Sequence, residues 1–251
     1  MSHFILEEPK EFDIELHFLK EQLNRNRYVH SYKEVKEPYL VVVDEYPVGQ
    51  IPFVEKCLGI HENPIEIPKY LRTSEFLKRD YRICTWQDIP RSGVFFLKDV
   101  SQLKKFGSVM NATFTDIDDM FNYTPVNEFD ATVVLDKEHL FQVSSLIDIK
   151  AEYRVYVFGG DIEQISYYNG DCTKLPDIQL IEKAVNLINY HEKYLRSYTI
   201  DVAVTNKGTC ILEVHNFTSC GLYSSIWGSS LVYAYKDGIY YLRNDNHKLE
   251  V

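Results

Sequence analysis

The chain of 251 residues contains no paired-cysteine motif. Its five cysteines (Cys57, Cys84, Cys172, Cys210 and Cys220) are odd in number and scattered without CxxC spacing. That pattern argues against a disulfide framework or a zinc site and suits reduced thiols in a cytosol. No apolar run approaches the length of a transmembrane helix. The opening stretch, MSHFILEEPKEFDIE, carries several acids and lacks the basic, apolar, cleavable pattern of a secretory signal. A cytoplasmic protein without a membrane partner is therefore expected. Positive charge is not in excess either. A formal net charge of −10 argues against a chain whose main work is gripping nucleic-acid phosphates. Internal repeats, low-complexity tracts and Gly/Ser linkers are missing too, which favours one compact body. Lysines are present near glycine, but none stands in Walker spacing.

The residues that are there describe an ordinary globular protein, 45% hydrophobic and 25% charged, long enough for one large domain or two to three packed subdomains. Its 19 tyrosines and 14 phenylalanines read as core packing before base stacking. Ile14, Phe18, Leu19 and Leu23 recur near helical spacing and predict a helix over Phe12 to Arg25. Tyr39 to Glu45 reads as a buried strand, followed by a turn marked by Pro47, Gly49 and Pro52. Arg82 to Trp86, Gly93 to Val100, Ala131 to Asp136 and His139 to Ile149 are strand-like. In EYRVYVFGGDIEQISYY, Gly159, Gly160 and Asp161 turn one strand into the next. Pro176 to Tyr190 is the clearest helix, striped by Ile178, Ile181, Val185 and Ile188. A KDG turn is expected at Lys236 to Gly238, between tyrosine-rich segments. Strands and helices mix without regular βαβ alternation, which favours α+β.

Two strands, Thr199 to Thr205 and Thr209 to His215, flank Asn206, Lys207 and Gly208, read as a three-residue hairpin loop. With Thr205 facing Thr209, Ala203 faces Ile211 and Asp201 faces Glu213. Like charges directly across an antiparallel pair are destabilising. A hard divalent cation such as Mg²⁺, which prefers oxygen ligands, would resolve the conflict. A solvated face with a lysine nearby would do so as well.

Three other positions carry chemistry. Lys98 ends the apolar strand VFFLKDV, either as a surface marker or, with Lys104 and Lys105 near the glycine of LKKFGS, as a holder of polyphosphate. Glu152 and Arg154 share one strand face. Arg154 is either part of an exposed charged face, a member of an in-strand ion pair, or a fork for a phosphate or acyl-phosphate. Gly170 and Asp171 read as a turn.

In order, FFLKDV, AEYRVYVFGGDI, YTIDVAV and ILEVHNFTSCGLY resemble an ATP-grasp enzyme, over roughly Val94 to Tyr223. They are most similar to the compact clade seen in phages and in bacterial gene clusters for peptide or small-molecule ligation. The resemblance implies an α+β fold of two subdomains closing on ATP. Its expected divisions are a pre-ATP-grasp region at 1–90 and an ATP-grasp domain at 91–251, itself split into 91–145 and 146–251. The implied activity is a Mg²⁺-dependent ligase joining a carboxylate to an amine through an acyl-phosphate, with a peptide or protein among the possible substrates. A phosphotransferase and a catalytically idle nucleotide-binding or assembly module are the alternatives.

By the same resemblance, Lys98 and Lys104 contact ATP phosphate, and Phe141, Gln142, Val143 and Ser144 supply backbone contacts to adenine. Glu152 belongs to the nucleotide site, Arg154 faces the γ-phosphate and acyl-phosphate, and Asp201 and Glu213 hold Mg²⁺. The family usually has Asn two residues after that Glu. Here the position is His215, with Asn216 next, so both are carried as metal-site candidates. Tyr168, Asn169, Asp171 and Tyr223 are candidates for the acceptor pocket.

Overall fold

Phe4, Ile5 and Leu6 stand in a row near the start of the chain, and all three are fully buried. A continuous apolar run of this kind suits a strand covered on both faces, as parallel strands are. In the computed structural model, which describes residues 2–8, 13–34, 41–60, 67–100, 107–113, 140–223 and 229–245, this run forms strand β1 (His3–Glu7). It is the centre of a parallel sheet ordered β2-β1-β3, with β2 at Val29–Lys33 and β3 at Glu45–Val48. Helix α1 (Ile14–Arg25) starts where Asp13 accepts from the N–H groups of Glu15 and Leu16. Its Leu16, Leu19 and Leu23 pack with Phe4 and Leu6. Helix α2 (Ile51–Leu58) presents Phe53, Val54 and Cys57 to Ile5 on the opposite face.

This region departs from the expected pattern twice. Of the strand expected over Tyr39 to Glu45, Tyr39 and Leu40 lie outside the described residues, Val41 to Asp44 are not in a strand, and β3 begins at Glu45. Val42 and Val43, 65% and 82% exposed, lie in a turn closed by the bond from Glu45 N to Val42 O. Pro52 opens a helix instead of a loop, since a first-turn residue has no helical N–H bond to lose.

After the short helix α3 (Ser74–Leu77) come β4 (Tyr81–Thr85), β5 (Ser92–Asp99), β6 (Gly107–Thr113) and β7 (Leu140–Ser144). They form an antiparallel sheet ordered β4-β7-β5-β6. β4 thus lies before the border expected at residue 90 yet pairs with β7. The single strand expected over His139 to Ile149 is broken: residues 145–148 leave the ladder before β8 begins. The strand expected at Ala131 to Asp136 lies outside the described residues.

A second antiparallel sheet, ordered β11-β10-β8-β9, holds β8 (Ile149–Phe158), β9 (Asp161–Gly170), β10 (Tyr198–Thr205) and β11 (Gly208–Asn216). Gly159 and Gly160 take positive φ at the β8–β9 turn, as expected. Helix α4 (Ile178–His191) is capped by Asp177. It buries Ile181, Val185 and Ile188 against Val155, Ile200, Val202, Ile211 and Val214. That contact assigns one face of the sheet to the core and leaves the other to the residues between them.

The expected KDG turn is inside helix α5 (Ser229–Asp245). Gly238 passes so close to the chain after β11 that an added Cβ would lie 2.9 Å from both Asn216 Oδ1 and Thr218 Cγ2. The glycine is there for approach, not for turning. α5 also sends Ile239 and Leu242 back to Ile5 and Phe53 of the first sheet.

A mid-helix glycine is usually improved by a residue with a side chain, but here the opposite is expected. Gly238→Val should lower stability by about 2 kcal/mol through overpacking, read as a reduced urea midpoint; an unchanged or raised midpoint would refute the close approach. The thiols allow a second check. All five are free, Cys172 is exposed, and burial raises Cys57 to about 11 and Cys220 to about 12. A thiol reagent at neutral pH should label Cys172 first and the three buried thiols, Cys57, Cys210 and Cys220, only on unfolding.

Candidate functional site

The two opposed carboxylates are built by a hairpin different from the one expected. Its loop has two residues, Asn206 and Lys207, because Thr205 pairs with Gly208. That register, continued without a break, would set Asp201 opposite Leu212 and turn Glu213 toward the apolar core under α4. A bulge between Asp201 and Val202 takes up the extra residue and restores Asp201 opposite Glu213. Ile211 and Val214 then face the core, while Leu212 and Glu213 both line the cleft. The expected pairing is present, on a register whose details differ.

Each carboxylate has cationic partners. Arg154 is the register neighbour of Asp201 across β8 and β10. It donates from Nε to Asp201 Oδ1 and from Nη2 to Asp201 Oδ2, both at 2.7 Å, a bidentate pair with both residues buried. Its Nη1 donates to Gly221 O at 2.8 Å, and its guanidinium lies 4.4 Å from the centre of the Tyr223 ring. Burial alone would lower the Arg154 pKa, but the bonds and charge of Asp201 outweigh it and hold it above its ordinary value. Arg154 is neither on an exposed charged face nor paired within its own strand: its ion pair is with Asp201 on the neighbouring strand, while Glu152 is bonded elsewhere. Lys98 reaches from β5 in the other sheet to Glu213 Oε1, so this ion pair spans the cleft.

His215 sits on the same face and meets Glu213 Oε2 through Nε2. Asp201, Glu213 and His215 bring one ligating atom each within 4.8 Å of one another. Asn216 is parted from them. It is fully buried, and its Oδ1 accepts from Thr218 N at 3.0 Å, capping the short 3-10 turn Phe217–Ser219. Two carboxylates and an imidazole form a mixed donor set. The oxygens suit Mg²⁺, the ring nitrogen does not, and its bond to Glu213 instead orients that carboxylate.

The cleft between the two four-stranded sheets encloses about 480 Å³ and is lined by Lys98, Gln142, Ser144, Glu152, Asp201 and Glu213 among others. Glu152 accepts from Tyr168 Oη at 3.2 Å and from Asn169 Nδ2 at 2.6 Å. Burial first, then the charges of Asp201 and Glu152, raises the Tyr168 pKa. Tyr168 stacks on Tyr223, with ring centres 4.6 Å apart. Asp171 stands apart at an exposed turn, bonded to Thr173.

The strand expected to offer its backbone to adenine, Phe141 to Ser144, is β7. β7 is an interior strand, paired with β4 on one edge and β5 on the other, so its backbone is engaged by ladders on both sides. Only Gln142 and Ser144 turn side chains to the cleft, while Phe141 packs on Trp86. The segment that lines the cleft without belonging to a ladder comes next, at Ser145, Leu146 and Ile147. Lys104 lies outside the described residues.

Sequence reasoning missed Arg79. It lines the cleft, donates to Ile211 O at 2.8 Å on the outer edge of β11, and has its pKa lowered by burial. No motif or periodicity marks an arginine between a short helix and a strand, so only tertiary placement reveals it.

Among the described residues, no helix is long and apolar enough to cross a membrane. A search of curated proteins returns no match. Solved structures share the fold at low identity. D-alanyl-alanine synthetase A from Vibrio cholerae O1 biovar eltor is 13% identical with a TM-score of 0.58, covering 95% of this chain and 98% of that one. D-alanine–D-alanine ligase from Bacillus anthracis complexed with ATP is 12% identical with a TM-score of 0.54, covering 98% and 99%. ATP-grasp ligase PsnB, complexed with minimal precursor, Mg and ADP, is 12% identical with a TM-score of 0.53, covering 94% and 97%. The family model for an ATP-grasp domain, the second family of its clade, matches residues 76–227, more than half of the chain, so the protein belongs to that ATP-grasp family and has its α+β fold.

Proposed function

We propose that the protein is an ATP- and Mg²⁺-dependent ligase that joins a carboxylate to an amine through an acyl-phosphate. The observation that carries this reading is the set of groups gathered at one cleft: Asp201 and Glu213 side by side, Arg154 and Lys98 on them, and Arg79 close by. Phosphoryl transfer asks the protein for positioned charge more than for covalent chemistry. Asp201 and Glu213 would hold Mg²⁺, which when bound offsets the charge of the ATP phosphates.

The residues themselves divide the remaining work. Lys98, already in reach of Glu213 from the opposite sheet, meets phosphate held at those carboxylates when the cleft is closed. Arg154 fixes the orientation of Asp201 and, through Gly221, the loop that follows β11. His215 orients Glu213. A substrate carboxylate attacks the γ-phosphorus and ADP leaves. The amine then attacks the acyl carbon, the bond to phosphate breaks, and the amine proton leaves with phosphate. Residues 145–148 are the proposed adenine edge, and Glu152 keeps Tyr168 and Asn169 in place beside it. In this reading the N-terminal region ends before α3, because β4 belongs to the sheet of β5 and β7.

The alternative of an idle nucleotide-binding module has one observation in its favour: both carboxylates are already matched by protein cations. Turnover separates the two readings. With MgATP and a panel of carboxylates and amines, ADP, phosphate and an amide should form together. AMP as the product, or no nucleotide binding with Mg²⁺ present, would reject the ligase. A phosphorylated acceptor formed without an amine would make the protein a phosphotransferase.

Glu213→Gln should lower ADP formation by at least a hundredfold while leaving the chain folded. Arg154→Lys keeps the charge but loses the fork on Asp201. It is expected to cost about 2 kcal/mol in stability and at least tenfold in turnover, checked by denaturant unfolding alongside ADP release. Retention of both would show that the fork is dispensable.

A further inference from the structure

One nitrogen stands among the oxygens of the acidic pair. Asp201 faces Glu213 across β10 and β11, and Thr199 faces His215 one step further along the same face. Asp201, Glu213 and His215 bring one donor atom each within 4.8 Å of one another. Asp201 is buried, and the His215 side chain is 12% exposed. Among the described residues no other three His, Cys, Asp or Glu side chains gather in this way. Donors that close can share one ion, and here two would be carboxylate oxygens and the third an imidazole nitrogen.

Asn216 does not offer an oxygen in its place. It is fully buried, and its Oδ1 accepts from Thr218 N at 3.0 Å. Gly238 of α5 approaches the same oxygen so closely that an added Cβ would lie 2.9 Å from it. Turning this amide toward Asp201 and Glu213 would uncap the 3-10 turn Phe217–Ser219 and leave Thr218 N–H without its acceptor. The third donor of the cluster is therefore the ring of His215.

The charges around the cluster do not choose between divalent ions. Arg154 on Asp201 and Lys98 on Glu213 oppose every such ion alike, and the two carboxylates attract every such ion alike. His215 does choose. Mg²⁺ is small and hard and keeps oxygen ligands, so it gains little from an imidazole. A first-row transition-metal ion accepts the ring nitrogen and keeps the carboxylates as well. The bond between His215 Nε2 and Glu213 Oε2 already sets that nitrogen beside an oxygen of the pair. Without an ion it orients Glu213. With such an ion, the neutral ring carries its proton on Nδ1 and presents Nε2 to the metal.

We propose that His215 sets the metal preference of this site: Asp201, Glu213 and His215 together hold a first-row transition-metal divalent ion such as Mn²⁺ more tightly than Mg²⁺, which the two carboxylates serve alone. The assignment rests on reading Asp201 and Glu213 as the metal residues of the ligase, and it narrows the class of ion that the site favours.

The test is metal binding to the full chain without nucleotide or turnover. Mn²⁺ is titrated and followed by its electron paramagnetic resonance, and Mg²⁺ is measured by its power to displace it. Wild type should hold Mn²⁺ at least tenfold more tightly than Mg²⁺. Spin-echo spectra of the bound Mn²⁺ should show modulation from a directly coordinated imidazole nitrogen. His215→Asn puts an amide oxygen in place of the ring nitrogen. It should abolish that modulation and lower the preference for Mn²⁺ at least fivefold, with Mg²⁺ held as well as before or better. The wild-type spectrum needs no variant, so a folding defect in His215→Asn does not obscure the answer.

Bound Mn²⁺ without nitrogen modulation, an equal preference in wild type and folded His215→Asn, or no Mn²⁺ binding to wild type would each overturn the proposal. Amide formation from MgATP alongside any of those results would leave the ligase reading standing. Nitrogen-coordinated Mn²⁺ in a chain that forms no ADP with either metal would remove the ligase reading and keep the assignment of His215.

Discussion

Two like charges held on neighbouring strands are the constraint around which the cleft is organised. Asp201 and Glu213 face each other across β10 and β11, an arrangement a sheet resists unless the charge is matched. The backbone goes out of its way to make it. A two-residue turn and a regular ladder would have buried Glu213 under α4, and the bulge beside Asp201 prevents that. The same bulge keeps Ile211 and Val214 in the core, so the acidic face and the apolar face are corrected by one extra residue.

The charges are matched in two different ways. Arg154 answers Asp201 from the same sheet, as a register neighbour, with both side chains buried. That pair is part of the fold: breaking it would strand a buried carboxylate, at a cost of about 3–5 kcal/mol. Lys98 answers Glu213 from the other sheet, and the pair is less enclosed. It depends on how the two sheets approach each other, and an ion pair at a part-exposed site contributes little to stability. One carboxylate is therefore fixed within its own sheet, and the other is matched only across the gap between two sheets.

Much of this was legible in the chain, for reasons that can be named. The α4 stripe, the Gly159–Gly160 turn and the β4 and β5 runs are local patterns whose periods survive folding. The acidic pair was readable because the expected three-residue loop and the true two-residue loop with a bulge reach the same opposition. The agreement is right for the site and wrong for the register. Failures came where tertiary contact overrides local signal. Val42 and Val43 look like a strand core but form an exposed turn. Lys236 to Gly238 look like a turn but run through a helix, because Gly238 is small for packing. β1 was too short a run to stand out, and its central place depends on partners far along the chain. Arg79 and the segment after β7 acquire meaning only when the two sheets face each other.

The loop after β11 joins these parts. Asn216 caps its turn, Gly221 O is held by Arg154 at 2.8 Å and by Tyr156 Oη at 3.2 Å, and Leu222 N is held by Glu15. Its anchors come from β8 on one side and from α1 on the other, so it ties the C-terminal sheet to the N-terminal region. Tyr223 N bonds Tyr156 Oη at 2.8 Å, and the Tyr223 ring covers Arg154. One chain of hydrogen bonds thus links α1 to the loop, the loop to Arg154, and Arg154 to Asp201. The bulge sets the acidic pair, and α1, remote in sequence from the hairpin, holds the loop whose Gly221 carbonyl accepts from the arginine on that pair.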